Sequence, residues 1–162
     1  MRHERPKTAP DAPTRVQLEL SYAARAPWAP GRRQFLRWLD AALRRRAESA
    51  VISIRVVGRA RSRSLNLRYR RKPRATNVLS FAGAGRLPDG KWLLGELVIC
   101  APVVAAEARR QKKAIDAHWA HMTVHGVLHL LGFDHEAAAE AAKMASKEVQ
   151  ILDRLGFSDP YA

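Results

Sequence analysis

The stretch HGVLHLLGFDH, residues 125–135, constrains the fold more than any other part of the chain. His125 and His129 are four residues apart, so on a helix they share a face. His118 and His121 continue the stripe backwards, and at 100° per residue all four fall within about 80° of the helix circumference. One ion cannot take them all. Residues eight apart, such as His121 and His129, are separated by about 12 Å of helical rise, far beyond the span of two metal–nitrogen bonds of about 2.1 Å. One helix therefore gives two ligands, and a third has to come from beyond its end. Gly132 supplies the means, because a glycine accepts the left-handed conformation that stops a helix and turns the chain back. His135 then swings toward the His125/His129 pair. Three neutral imidazoles with a fourth position open form the ligand set of a catalytic zinc site. His118 and His121 read as structural, bonded to backbone or to Asp116. Asp134 reads either as an orienter of a ligand imidazole or as a cap for the helix that follows.

The same HxxxHxxGxxH spacing occurs in metzincin proteases, where a glutamate directly after the first histidine takes the proton from the zinc-bound water. Here that position is Gly126, so a peptidase would lack its base. Hydrolysis of a phosphodiester depends more on charge stabilisation than on such a carboxylate.

Charge narrows the partner. Twenty-nine Lys and Arg against fifteen Asp and Glu give a net +14 in 162 residues, which favours a polyanionic partner. Nine of the cations lie in RVVGRARSRSLNLRYRRKPR, from Arg55 to Arg74, with no acid among them. Such a run suits a phosphate backbone and implies salt-sensitive binding. It leads into TNVLSF, where Asn77 and Ser80 are candidate substrate contacts; of two readings for Tyr69, a base-stacking ring or a core residue, the core is the expected one. Cys100 stands alone in the apolar run LVIC, so no intrachain disulfide forms. No apolar segment reads as a signal peptide or a membrane span, and the expected location is the cytoplasm.

Residues 1–14, with Pro6, Pro10 and Pro13 and few apolar side chains, read as a disordered tail. The domain then occupies 15–162. VQLEL alternates as a half-buried strand. GRRQFLRWLDAALRRRAES carries Phe35, Leu36, Leu39, Ala42 and Leu43 on one helical stripe. AVISIRVV is a β-branched strand. A helix between Gly58 and Arg74 ends at Pro73. Strands follow at TNVLSF and GELVIC, joined by the turn-rich GAGRLPDGKW. Three helices close the chain. The first starts near Pro102, and the second is capped by Asp116 and stopped by Gly132. The last runs from about Glu136 to Leu155 and buries Met144, Val149, Ile151 and Leu152. The order β-α-β-α-β-β-α-α-α gives an α+β domain, a small mixed four-stranded sheet packed with about five helices. A wholly parallel sheet is not expected, because residues 82–92 look too short and irregular for a helical crossover.

Together LNLRYRRKPRATNVLSF, LGELVIC and HWAHMTVHGVLHLLGFDH resemble the YbeY family of bacterial rRNA maturation factors, over roughly two-thirds of the chain. The resemblance implies a zinc-dependent, single-strand-specific endoribonuclease of 16S rRNA 3′-end maturation and ribosome quality control, with rRNA and the ribosome or its small subunit as partners. It makes His125, His129 and His135 the Zn²⁺ ligands and Arg70 the arginine needed for function, a bidentate contact to the scissile phosphate. His125 and Arg70 are then the catalytic residues. The chain departs from the family pattern at Ala75, where proline is common, and at Glu96, where aspartate is frequent. Two other readings compete: a metallopeptidase-like hydrolase, and a non-catalytic ribosome-assembly factor whose metal is structural.

Overall fold

The computed structural model describes residues 16–44 and 49–162. Among these residues the elements run in the expected order: β1 (Val16–Tyr22), α1 (Arg32–Ala42), β2 (Ala50–Val57), α2 (Arg59–Arg70), β3 (Val78–Arg86), β4 (Trp92–Cys100), α3 (Ala101–Arg110), α4 (Ile115–Leu130) and α5 (Ala138–Arg154). The tail expected over 1–14, and the part of the first helix read into 45–48, lie outside the described residues.

The strands form one sheet in the order β1-β2-β4-β3. β1 pairs parallel with β2, and β2 parallel with β4, while β3 runs antiparallel beside β4. The fold is α+β, as the element order implies. β3 and β4 are longer than read from sequence, and much of GAGRLPDGKW is strand. A register shift between Ala82 and Gly85 lets the glycine-rich run stay paired, and the turn shrinks to the residues around Asp89.

Alternation along the strands divides two cores. On one face Ile52, Ile54, Val56, Leu97 and Ile99 pack with Phe35 and Trp38 of α1, Trp119, Val124 and Leu128 of α4, and Met144 and Ile151 of α5. Each such burial is worth about 1.5–3 kcal/mol. On the opposite face Val57, Leu79, Val98 and Cys100 meet Leu65 of α2 in a smaller cluster, with Ala75 and Phe81 at its margin. Cys100 is fully buried, as its apolar setting implied. α4 and α2 therefore lie on opposite faces of the sheet, and β3 is the edge strand between them. No described helix is long and apolar enough to cross a membrane.

Four local readings are corrected. α2 stops at Arg70, before Pro73, because Arg71 adopts a left-handed conformation and Lys72 N–H bonds back to the Asn66 carbonyl. Pro73 excludes helix from the residue before it, and the chain turns one step earlier still. Asp116 does not cap α4: the cap position is Ala114, and Asp116 lies inside the first turn with Oδ1 accepting from Ala117 N–H. Tyr69 is not core but 56% exposed, since α2 buries only the narrow stripe Ser62, Leu65 and Asn66. In α5 Val149 is half-buried, and its neighbour Glu148 is fully buried instead.

Candidate metal centre and nucleic-acid interface

The stop at Gly132 forms as the sequence requires. Gly132 has φ +96°, its N–H reaches the His129 carbonyl at 3.0 Å, and Phe133 N–H reaches the Leu128 carbonyl at 3.0 Å. This pair of bonds closes the helix end and reverses the chain. Asp134 neither orients an imidazole nor caps α5. Its Oδ1 accepts from the backbone N–H of His135 at 2.6 Å and of Glu136 at 3.3 Å, fixing the short turn that carries His135.

His125, His129 and His135 consequently converge, with one ring nitrogen of each within 4.8 Å of the others. The closest approach, 3.0 Å, is between His135 Nδ1 and His129 Nε2. Burial and then the neighbouring His125 and His135 lower the His129 pKa, which keeps its imidazole neutral as a metal ligand must be. His125 Nδ1 donates to Glu148 Oε1 at 2.5 Å, leaving Nε2 as the ring nitrogen it could offer a metal. A carboxylate behind a metal-binding imidazole fixes tautomer and ring orientation and raises ligand basicity. The donor set and its carboxylate support fit a first-row divalent ion.

Glu148 is the residue that sequence reasoning missed. Its carboxylate is wholly buried and accepts from His121 Nε2 at 3.1 Å, from His125, and from the Tyr161 hydroxyl. Burial by itself would raise its pKa, but the hydrogen bonds from His121, His125 and Tyr161 prevail and hold it at about 2. Burial and then Glu148 push the Tyr161 hydroxyl up. A signal for this residue did exist. Glu148 falls on the stripe Met144, Ile151, Leu152, where an acid is out of place unless it is paired. His118 is buried as expected, but its Nε2 partner is Glu107 of α3 at 3.1 Å, not Asp116.

Gly126 has a packing cause. A Cβ there would lie 2.8 Å from Leu97 Cδ2 and 3.2 Å from Val78 Cγ2. α4 crosses the sheet at this point, so a glutamate side chain would start into the core.

Arg70 ends α2 and is exposed. Its position is set from below. Ser62 Oγ donates to the Thr76 carbonyl and accepts from Thr76 N–H, while Asn66 Nδ2 donates to the Arg74 carbonyl at 2.8 Å. These two buried polar residues pin the connector from α2 to β3. Arg70 thereby borders the same cavity as the three histidines, a space of about 690 Å³ over the β3 edge. Asn77 and Ser80 also border it. Asn77 Nδ2 donates to Glu107 at 3.1 Å, and Ser80 Oγ donates to the Gly126 carbonyl at 3.1 Å. Of the nine cations in the basic run, Arg55 is held by Glu96 at 2.6 Å, and the other eight are exposed.

The family profile described as endoribonuclease YbeY matches residues 27–156. The chain is 51% identical over 156 residues to the endoribonuclease YbeY of Stenotrophomonas maltophilia strain K279a, covering 93% of this chain and 96% of that protein. It is 49% identical over 150 residues to that of Nitrosococcus oceani, covering 90% and 97%. The solution structure of a Thermotoga maritima protein superposes with a TM-score of 0.55 at 19% identity, over 89% of this chain and 98% of that one, a likeness of fold. With half of all positions identical across nearly the full length of these relatives, the chain belongs to the endoribonuclease YbeY family.

Proposed function

We propose that this chain is a zinc-dependent endoribonuclease that cuts single-stranded RNA, acting in the cytoplasm on 16S rRNA in 3′-end maturation and ribosome quality control. Residues 15–162 form its catalytic domain. The observation that carries the reading is that one cavity is bordered on the α4 side by the histidine triad and on the α2 side by Arg70. Seven further exposed cations flank Arg70, with no acid in that run.

His125, His129 and His135 hold the ion. When bound, a divalent ion supplies Lewis-acid charge beside a phosphoryl oxygen. Glu148 keeps the His125 ring fixed throughout. Arg70 forms no ion pair with a described residue, so its guanidinium is available to hold two phosphate oxygens at the scissile position. Ser80 Oγ already donates to Gly126 and meets the substrate as an acceptor, whereas Asn77 trades its bond to Glu107 for one to RNA. The exposed cations of α2 track the backbone and draw the strand in. A peptidase reading gains nothing from Gly126, which supplies no acid and whose Cβ direction runs into Leu97. A purely structural metal has no use for a cavity beside exposed His135.

The test is cleavage of a single-stranded 16S rRNA fragment by the purified chain, its His125→Ala form and its Arg70→Glu form. Both variants should lose activity, by about 100-fold or more for the arginine. Metal analysis should find the ion lost from His125→Ala and kept in Arg70→Glu. Equal cleavage by all three proteins would sink the assignment.

A further inference from the structure

We propose that Tyr69, backed by Phe81, is the seat of one unstacked nucleobase next to the scissile phosphate. The inference deepens the ribonuclease reading and rests on it. A lone exposed tyrosine is ordinary on a protein surface. What distinguishes Tyr69 is where it stands. It precedes Arg70, borders the same cavity as the histidine triad, and is 56% exposed. Its ring meets that of Phe81 on β3 at 5.0 Å between centroids and 68° between planes. The contact fixes the tyrosine on the rim instead of letting it sweep through solvent. The guanidinium of Arg68 stands over the ring, 5.3 Å from its centroid, so cation and aromatic surface come together.

This combination is what a single strand needs. A positive groove takes the backbone, and an aromatic face takes a base, with little regard to which base it is. If Arg70 holds the scissile phosphate, the adjacent nucleotide has its base within reach of the ring one residue away. In a duplex that base is paired and stacked, and bringing it out carries an unpairing cost. In a single strand the cost is small. Tyr69 would therefore make the site prefer single strands without reading sequence, a property that neither the histidines nor the arginines provide.

The experiment uses the full metal-loaded chain and a short fluorescein-labelled single-stranded oligoribonucleotide. Matching oligomers each lack one base, at successive positions around the cut. Cleavage locates the scissile bond, and anisotropy gives the affinity. In the unmodified chain, loss of the base beside the cut should weaken binding about tenfold, and loss of distant bases much less. Tyr69→Phe should keep that difference. Tyr69→Leu, which still covers Phe81, should abolish it while the melting temperature stays near that of the unmodified chain. Uniform tolerance of base loss in the unmodified chain, or an undiminished penalty in Tyr69→Leu, overturns the platform while leaving the ribonuclease reading intact. Failure of the unmodified chain to cut the intact oligomer overturns both.

Discussion

The two halves of α4 carry the same residue on the same stripe and put it to different use. In the first half, His118 and His121 are buried, and each gives its Nε2 to a carboxylate from another helix, Glu107 or Glu148. In the second half, His125 and His129 reach the cavity and face His135. Glu148 joins the halves, since it takes His121 on one oxygen and His125 on the other. Residue type and helical phase are alike in both. What differs is which side chains the rest of the fold sets opposite each imidazole, a carboxylate from another helix in one half and two further imidazoles at the cavity in the other.

The sharpest way to break the comparison is to remove one histidine from each half. His129→Ala should release the metal and reduce RNA cleavage to background with little loss of stability. His118→Ala should keep the metal but cost about 1–3 kcal/mol, because it takes one of its hydrogen-bond donors from the half-buried Glu107 carboxylate. Metal content and urea unfolding read out the two effects. Equal metal retention in both variants would erase the distinction between the halves.

A smaller effect should come from the link between them. Glu148→Gln keeps the shape but replaces the charged acceptor behind His125, and metal affinity by chelator competition should fall about 10–100-fold. An unchanged affinity would reduce Glu148 to a packing residue.

The smallest effect lies in the support half alone. Burial would raise the Glu107 pKa, but hydrogen bonds from His118 and Asn77 and the charges nearby bring it below its ordinary 4.5. The unfolded chain then binds the proton more readily than the folded one. Stability from this group is full above about pH 4.5 and is lost as pH falls through the folded pKa. Glu107→Gln should flatten that acid limb, seen as a shallower fall of the unfolding midpoint below about pH 4.5. A limb of unchanged slope would place the acid sensitivity elsewhere.

Much of this site was legible in the chain. The i, i+4 pair, the impossibility of a third ligand from the same helix, and a glycine poised to turn back led to His125, His129 and His135 before any fold was known. The run of cations marked the α2 side. Glu148 is not legible because hydrophobicity marks the buried face of α5, and an acid on that face reads as solvent-facing until its partners are seen. The exposure of Tyr69 is not legible either, because helical spacing tells which residues share a face, not how wide a face the neighbours cover. Gly126 was legible only as an absence; its cause is Leu97, distant in sequence.

By itself the sequence determined the local geometry: the order of elements, the helix stop at Gly132, the spacing of the three histidines and the excess of positive charge. These follow from backbone conformation and helical period, which act within a few residues. Only the tertiary structure decided that Arg70 and the histidines share one cavity, reaching it from opposite faces of the sheet around the β3 edge. It also decided that Glu148 stands behind His125. Those outcomes depend on which elements pack together, and that is settled by burial across the whole chain rather than by any one segment.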